Sequence, residues 1–189
     1  MGTGQMLLTI MALVLFGTTI ITVNHNSLTQ GTILRQTELG IYAVSLATSY
    51  IQRASELDFD SSTVGGLVYI NVPMPQPPYI PAGVLTAPSH LGPDKNNTAN
   101  VDTSYDDFDD YNGFVRDTNF TDVAKFHVTA SVYYINQTGA NQFQKTTANT
   151  TWLKRMDINV NDAIDRGVYS GETAGTDTIK MSYILSFYK

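Results

Sequence analysis

The chain has 189 residues, enough for one domain or for a head on a rod, and its 42% hydrophobic and 11% aromatic content is that of a sequence that folds. Without cysteine it has no disulfide framework, no thiolate metal site and no cysteine nucleophile. The net charge of −6 is uneven: residues 58–122 hold ten Asp against Lys95 and Arg116, and residues 123–189 hold seven Lys/Arg against five Asp/Glu, so no large basic face for nucleic acid is expected.

Gln5 to Val23, QMLLTIMALVLFGTTIITV, contains no charge and no proline. As a helix it would be about 28 Å long, close to the hydrocarbon thickness of a bilayer. The first charged side chain is Arg35. A cleaved secretory signal would place Lys or Arg before the apolar run and small residues after it, whereas Met1-Gly2-Thr3-Gly4 precedes and Thr-Val-Asn-His-Asn follows. A single-pass anchor would carry an orienting Lys/Arg bias in its flanks, and neither flank has one. The third reading, favoured here, is a helix that occupies the membrane before assembly and then packs against copies of itself. Its assembly residues would be Gln5, Met6, Leu7, Leu8, Ile10, Leu13, Val14, Leu15, Phe16, Ile20 and Ile21.

The helical pattern continues. Leu28, Ile33, Leu34, Ile41, Val44, Leu46 and Ile51 recur among Arg35, Gln36, Glu38, Gln52, Arg53 and Glu56, which predicts an amphipathic half over residues 28–57. If continuous over residues 5–57, the rod is about 80 Å long. Gly17, Gly31, Gly40 and the polar Asn24–Ser27 cluster are its weak points.

A short Gly-containing N-terminus, an uncharged helix of this length, an amphipathic continuation and a β-rich remainder together resemble the type IV pilin superfamily of pilins, pseudopilins and archaeal-type filament subunits. The resemblance covers residues 1–57 by motif and the rest by architecture. It implies self-assembly, with a cytoplasmic ATPase, a platform protein and a leader peptidase as assembly partners. Members usually carry a basic leader ending in glycine and a glutamate one turn into the mature chain, paired with a neighbour's amine. This chain has no basic leader and no acidic residue before Glu38. Cleavage after Gly4 would put Thr9 at the glutamate position; a mature start at Met1, the preferred alignment, would put Gln5 there, so the usual salt bridge is missing.

The expected fold class is α+β: a long N-terminal hydrophobic helix (residues 1–57) and a C-terminal antiparallel β-sheet head (residues 58–189). Within the head, LVYINV at Leu67–Val72 reads as a first strand. All seven prolines fall between Pro73 and Pro93, which excludes a central strand and predicts an extended surface arm anchored by Tyr79, Ile80, Val84 and Leu85. That arm reads either as an ordinary loop or as a lateral contact between subunits.

The acidic run that follows offers Asp106, Asp107, Asp109, Asp110 and Asn112 as calcium ligands, although EF-hand spacing fails because Phe108 would occupy the first ligand position. A solvated acidic turn is the plainer reading. Alternation then predicts strands at Asp122–Asn136, Trp152–Val160 and Thr178–Tyr188. A loop or hairpin is expected over Asn136–Thr150, and a turn of helix from Asn161 to Ile164. The sheet, of four or more strands, is expected to pack on Leu28–Leu57.

Catalytic signatures are missing. His25, His90 and His127 lie far apart in sequence, and no H-E-x-x-H, G-x-S-x-G or phosphate-binding glycine loop occurs. Four sequons, at Asn96, Asn119, Asn136 and Asn149, offer glycan acceptors in the head, against roughly 2.5 such triplets expected by chance from 13 Asn and 36 Ser and Thr, and the Ser/Thr-rich surface could equally carry O-glycans. The expected function is therefore a non-enzymatic subunit of an extracellular helical filament with a glycosylated exterior, resident in the inner membrane before assembly. The alternatives are a minor pilin or pseudopilin of a secretion or uptake machine, and a single-pass membrane-anchored carbohydrate- or calcium-binding module. No cofactor is required, and calcium is the one candidate.

Overall fold

The computed structural model describes residues 2–66, 85–95, 97–121, 124–140, 142–162 and 178–187. Helix α1 (Thr3–Glu56) runs unbroken through Gly17, the Asn24–Ser27 cluster, Gly31 and Gly40. No proline interrupts its ladder. At its start Gly2 is extended and its carbonyl accepts the Gln5 N–H at 2.9 Å. At its end Leu57 turns to extended backbone while its N–H donates to Ala54 O, and Arg53 lies in the last turn, where a cation suits the helix dipole.

Among the described residues, five strands form one antiparallel sheet: β1 (Val115–Thr121), β2 (Ala124–Gly139), β3 (Gln142–Lys145), β4 (Leu153–Asp162) and β5 (Thr178–Ser186). The order is β1-β2-β4-β5, and β3 pairs with the distal end of β2. Register follows alternation: Val128 faces Val160 and Ala130 faces Ile158 across β2 and β4, and Ile158 faces Met181 across β4 and β5. One face is thereby apolar, with Phe126, Val128, Val132, Tyr134, Met156, Ile158 and Val160 buried.

Helix α1 lays Ala43, Ala47, Tyr50 and Ala54 on that face, one stripe at spacings of four, three and four. Three alanines without long side chains let helix and sheet approach closely. Tyr50 then reaches Phe114, whose ring centroid lies 5.2 Å away, at the edge of the cluster containing Tyr105 and Tyr111.

The α+β class and the strands β2, β4 and β5 match expectation. Other expectations are corrected. The head-packing part of the rod begins near Leu39 and not at Leu28, because Leu28, Ile33 and Leu34 are more than half exposed. Asn161 and Asp162 continue β4 by pairing with β2 instead of starting a helical turn, and the rest of that expected turn, Ala163 and Ile164, lies outside the described residues. Strand β1 was not apparent from alternation, and β3 makes a hairpin of the expected connection. The Leu67–Val72 strand and the arm anchors Tyr79, Ile80 and Val84 lie outside the described residues; Leu85 is buried as anticipated.

Candidate assembly surface and the acidic turn

Every apolar assembly residue, from Met6 to Ile21, is exposed, with Leu8 at 71% and even the least open, Ile20, at 52%; Gln5 is exposed beside them. The exposure surrounds the helix, since Leu7, Leu8, Phe16, Leu13 and Ile10, all exposed, point in turn around its whole circumference. The hydroxyls in this segment do not make it polar. Thr9 donates to Gln5 O, Thr19 to Leu15 O and Thr22 to Thr18 O, each one turn back along the same helix. The helix is long and apolar enough to cross a membrane, its most apolar window having a mean hydropathy of 2.3 and no residue buried. Where it meets the sheet, an open apolar groove lined by Ile33, Gly40, Ile41, Val44 and Ile179 continues the same surface.

The acidic turn hooks onto the end of α1. Phe108 N–H donates to Asp58 O at 2.8 Å, and Asp58 and Asp107 form an isolated parallel bridge. Asp106, Asp107 and Asp110 each bring a carboxylate oxygen within 4.8 Å of the others. Asp109 is not in that group. Asn112 donates to Leu91 O at 2.9 Å and accepts the Val132 N–H at 3.1 Å, while Gly113 completes the turn at φ +82, a conformation that favours glycine.

These carboxylates serve the backbone. Asp110 accepts the N–H groups of Asp94, Asp106 and Asp107 and the Asn97 amide at 2.6 Å; burial still raises its pKa, against those bonds. Asp107 accepts the Asp109 and Asp110 N–H groups on Oδ1, and its buried Oδ2 has no hydrogen-bond partner among the described residues. Burial, with the negative charges of Asp109 and Asp110, pushes Asp107 up to about 8. It is therefore mostly protonated at neutral pH. Asp102, nearby and buried, lies between the guanidinium groups of Arg53 on α1 and Arg116 on β1, the latter at 2.7 Å.

Sequence reasoning missed the residue at the centre. Lys154 shares the inward register of Met156, Ile158 and Val160 on β4, and its side chain is wholly buried. A cation on an apolar face must find partners. Lys154 Nζ donates to Phe59 O at 2.8 Å, to Asp60 Oδ2 at 2.8 Å and to Asp109 Oδ1 at 2.5 Å, and stands 4.6 and 5.1 Å from the ring centroids of Phe59 and Tyr134. Asp60 also accepts from Ser62, from Thr86 N–H and hydroxyl, and from the Tyr134 hydroxyl. Burial works to raise its pKa, but the Lys154 charge and the Lys154 and Ser62 hydrogen bonds outweigh it and leave the group below the usual range. Asp109 is shifted upward, burial prevailing over Lys154. The signal in the sequence was the even position of Lys154 within an alternating apolar strand.

Of the sequon residues, Asn119 and Asn149 are exposed, Asn136 is half-buried within β2, and Asn96 lies outside the described residues. Thr151, which completes the Asn149 sequon, is buried with its hydroxyl 2.8 Å from Ile135 O. His127 makes a 2.7 Å contact with Asp117 on the outer face of the sheet, remote in register from the acidic turn.

No known family model matches the chain, nor does any curated protein or solved structure.

Proposed function

We propose that this chain is the structural subunit of an extracellular helical filament of the type IV pilus kind, its N-terminal helices bundled inside and its β-rich heads outside. One observation carries the reading: the first thirty or so residues of α1 stand clear of the head, and those up to Val23 are apolar on every side, with their threonine hydroxyls bonded within the helix. Apolar surface on this scale marks an interaction or membrane site. Each aliphatic side chain taken out of water contributes about 1.5–3 kcal/mol, so a bundle of such rods is strongly favoured over rods in water. Inside a bilayer that drive vanishes, and withdrawal from the membrane into the filament requires outside energy. The ATPase, platform protein and leader peptidase implied by the resemblance fit that requirement, and glycans at the exposed sequons would lie on the outer surface.

Electron microscopy of material sheared from the cell surface, with mass spectrometry of its main protein, tests the proposal. Filaments composed chiefly of this chain are the expected result. Filaments in which it is a trace component would instead make it a minor pilin or pseudopilin. Recovery only as a detergent-soluble monomer would favour a membrane-anchored module, for which the convergence of Asp106, Asp107 and Asp110 makes calcium the ligand to try.

A further inference from the structure

Lys154 is a buried amine pressed between two carboxyl groups. Salt bridges of this kind are usually explained as electrostatic links, yet this one also holds an amine against a carboxyl group away from water, nucleophile and electrophile in direct contact. The surroundings are dry: Lys154, Asp60, Asp109, Phe59, Phe108 and Tyr134 are all buried, and the Phe59 and Tyr134 rings cover Nζ. We propose that Lys154 and Asp109 condense to an intramolecular isopeptide bond, tying the acidic turn covalently to β4, with Asp60 relaying the proton.

The chemistry balances without any co-reactant. Proton transfer from Nζ to the Asp60 carboxylate leaves a neutral amine, which adds to Cγ of Asp109. The new C–N bond forms as one Cγ–O bond breaks; Asp60 returns the first proton to the departing oxygen, and the second passes to that oxygen from the nitrogen as the amide forms. Of the three protons on the starting ammonium, one stays on the amide nitrogen and two leave with that oxygen as water. No group is oxidised or reduced. The remaining N–H can keep the bond to Phe59 O.

The two carboxyl groups are not equivalent. Asp60 is fixed as a carboxylate by Ser62, Thr86 and Tyr134 in addition to Lys154, which makes its own carbon the poorer electrophile and leaves its oxygen to carry the proton only in passing. Among the described residues no backbone N–H is bonded to the Asp109 carboxyl, which meets Nζ directly and lacks the set of donors that holds Asp60 as a carboxylate. Asp109 is thus the electrophile. The inference depends on the head alone and is independent of the filament reading.

The test is intact-mass measurement of the full-length chain produced without glycans, followed by protease digestion and fragmentation sequencing. The expected mass is lower than that of the sequence by one water, with a branched peptide joining Lys154 to Asp109. A chain at its full sequence mass overturns the proposal. So does loss of water without a branched peptide, or a branch at Asp60. Lys154→Arg retains a buried cation but not the nucleophile, and must restore the full mass; Asp60→Asn should slow the mass change after refolding while the Asp109 link remains the product.

Discussion

Lys154 and Asp60, ninety-four residues apart in sequence, meet at 2.8 Å with both side chains wholly withdrawn from water. The contact joins the loop that leaves α1 to the middle of the sheet, and Asp109 adds the acidic turn from a third direction. Removing the cation while leaving its partners isolates two buried carboxylates. Measured against the chain before the Lys154–Asp109 bond forms, Lys154→Met should therefore cost about 3–5 kcal/mol in urea unfolding, and adding Asp60→Asn with Asp109→Asn should recover a large part of that loss; against the condensed chain the loss is larger by the covalent tie and the added substitutions recover less of it. An unchanged urea midpoint in the single variant would show that the cluster contributes nothing to stability.

Asp107 makes stability depend on pH. Its folded pKa of about 8 lies above the ordinary 3.8, so between these values the folded chain holds a proton that the unfolded chain has released. Stability from this group is then full below the lower value and is lost as pH rises through the upper one, with a slope of up to about 1.4 kcal/mol per pH unit. Asp60 acts in the opposite sense: its pKa is lowered, and its contribution, present above 3.8, is lost as the medium is acidified further. Urea midpoints should be higher near about pH 5 than near about pH 8.5, and Asp107→Asn should flatten that difference. A wild-type midpoint that climbs with pH over this interval would contradict the assignment.

The alanine stripe sets the distance between rod and sheet. Ala47 is fully buried against the core, so Ala47→Leu should overpack the contact and destabilise the head by about 1–3 kcal/mol. Calorimetric melting checks this, and a melting temperature at or above the wild-type value would mean that the contact has room to spare.

Charges introduced higher on the rod should act differently. Ile10→Asp with Phe16→Asp places carboxylates where about 2.5–3.5 kcal/mol each is lost in an apolar surround. Neither native side chain packs on the head, so the head's urea midpoint should be unchanged while filaments disappear from the cell surface. Normal filaments from this variant would overturn the proposed role of the rod in assembly.

Much of the fold was legible because periodicity reports burial. The uncharged run at Gln5–Val23 and the alternation in β2, β4 and β5 each face one uniform environment, and such patterns survive without tertiary information. Strand β1 carries VRDTNFT at the sheet edge, where its exposed Val115, Arg116, Asp117 and Asn119 leave no alternating signature. The acidic turn was harder still. Its composition suggests solvent or a cation, yet Asp107, Asp109 and Asp110 are buried, because their partners are backbone N–H groups of the same turn and a lysine on a distant strand. Only contacts across the fold distinguish a solvated aspartate from a buried one.

Because the threonines between Gln5 and Val23 satisfy their hydroxyls within the helix, the rod offers neighbours shape but scarcely any directional bonds. In a bundle of such rods one axial offset would be nearly as good as the next, and sliding would meet little resistance along that stretch. Beyond Gln5 at its start, the exposed belt of Asn24, His25, Asn26 and Ser27 is the next place along the helix where one copy could index its height against another.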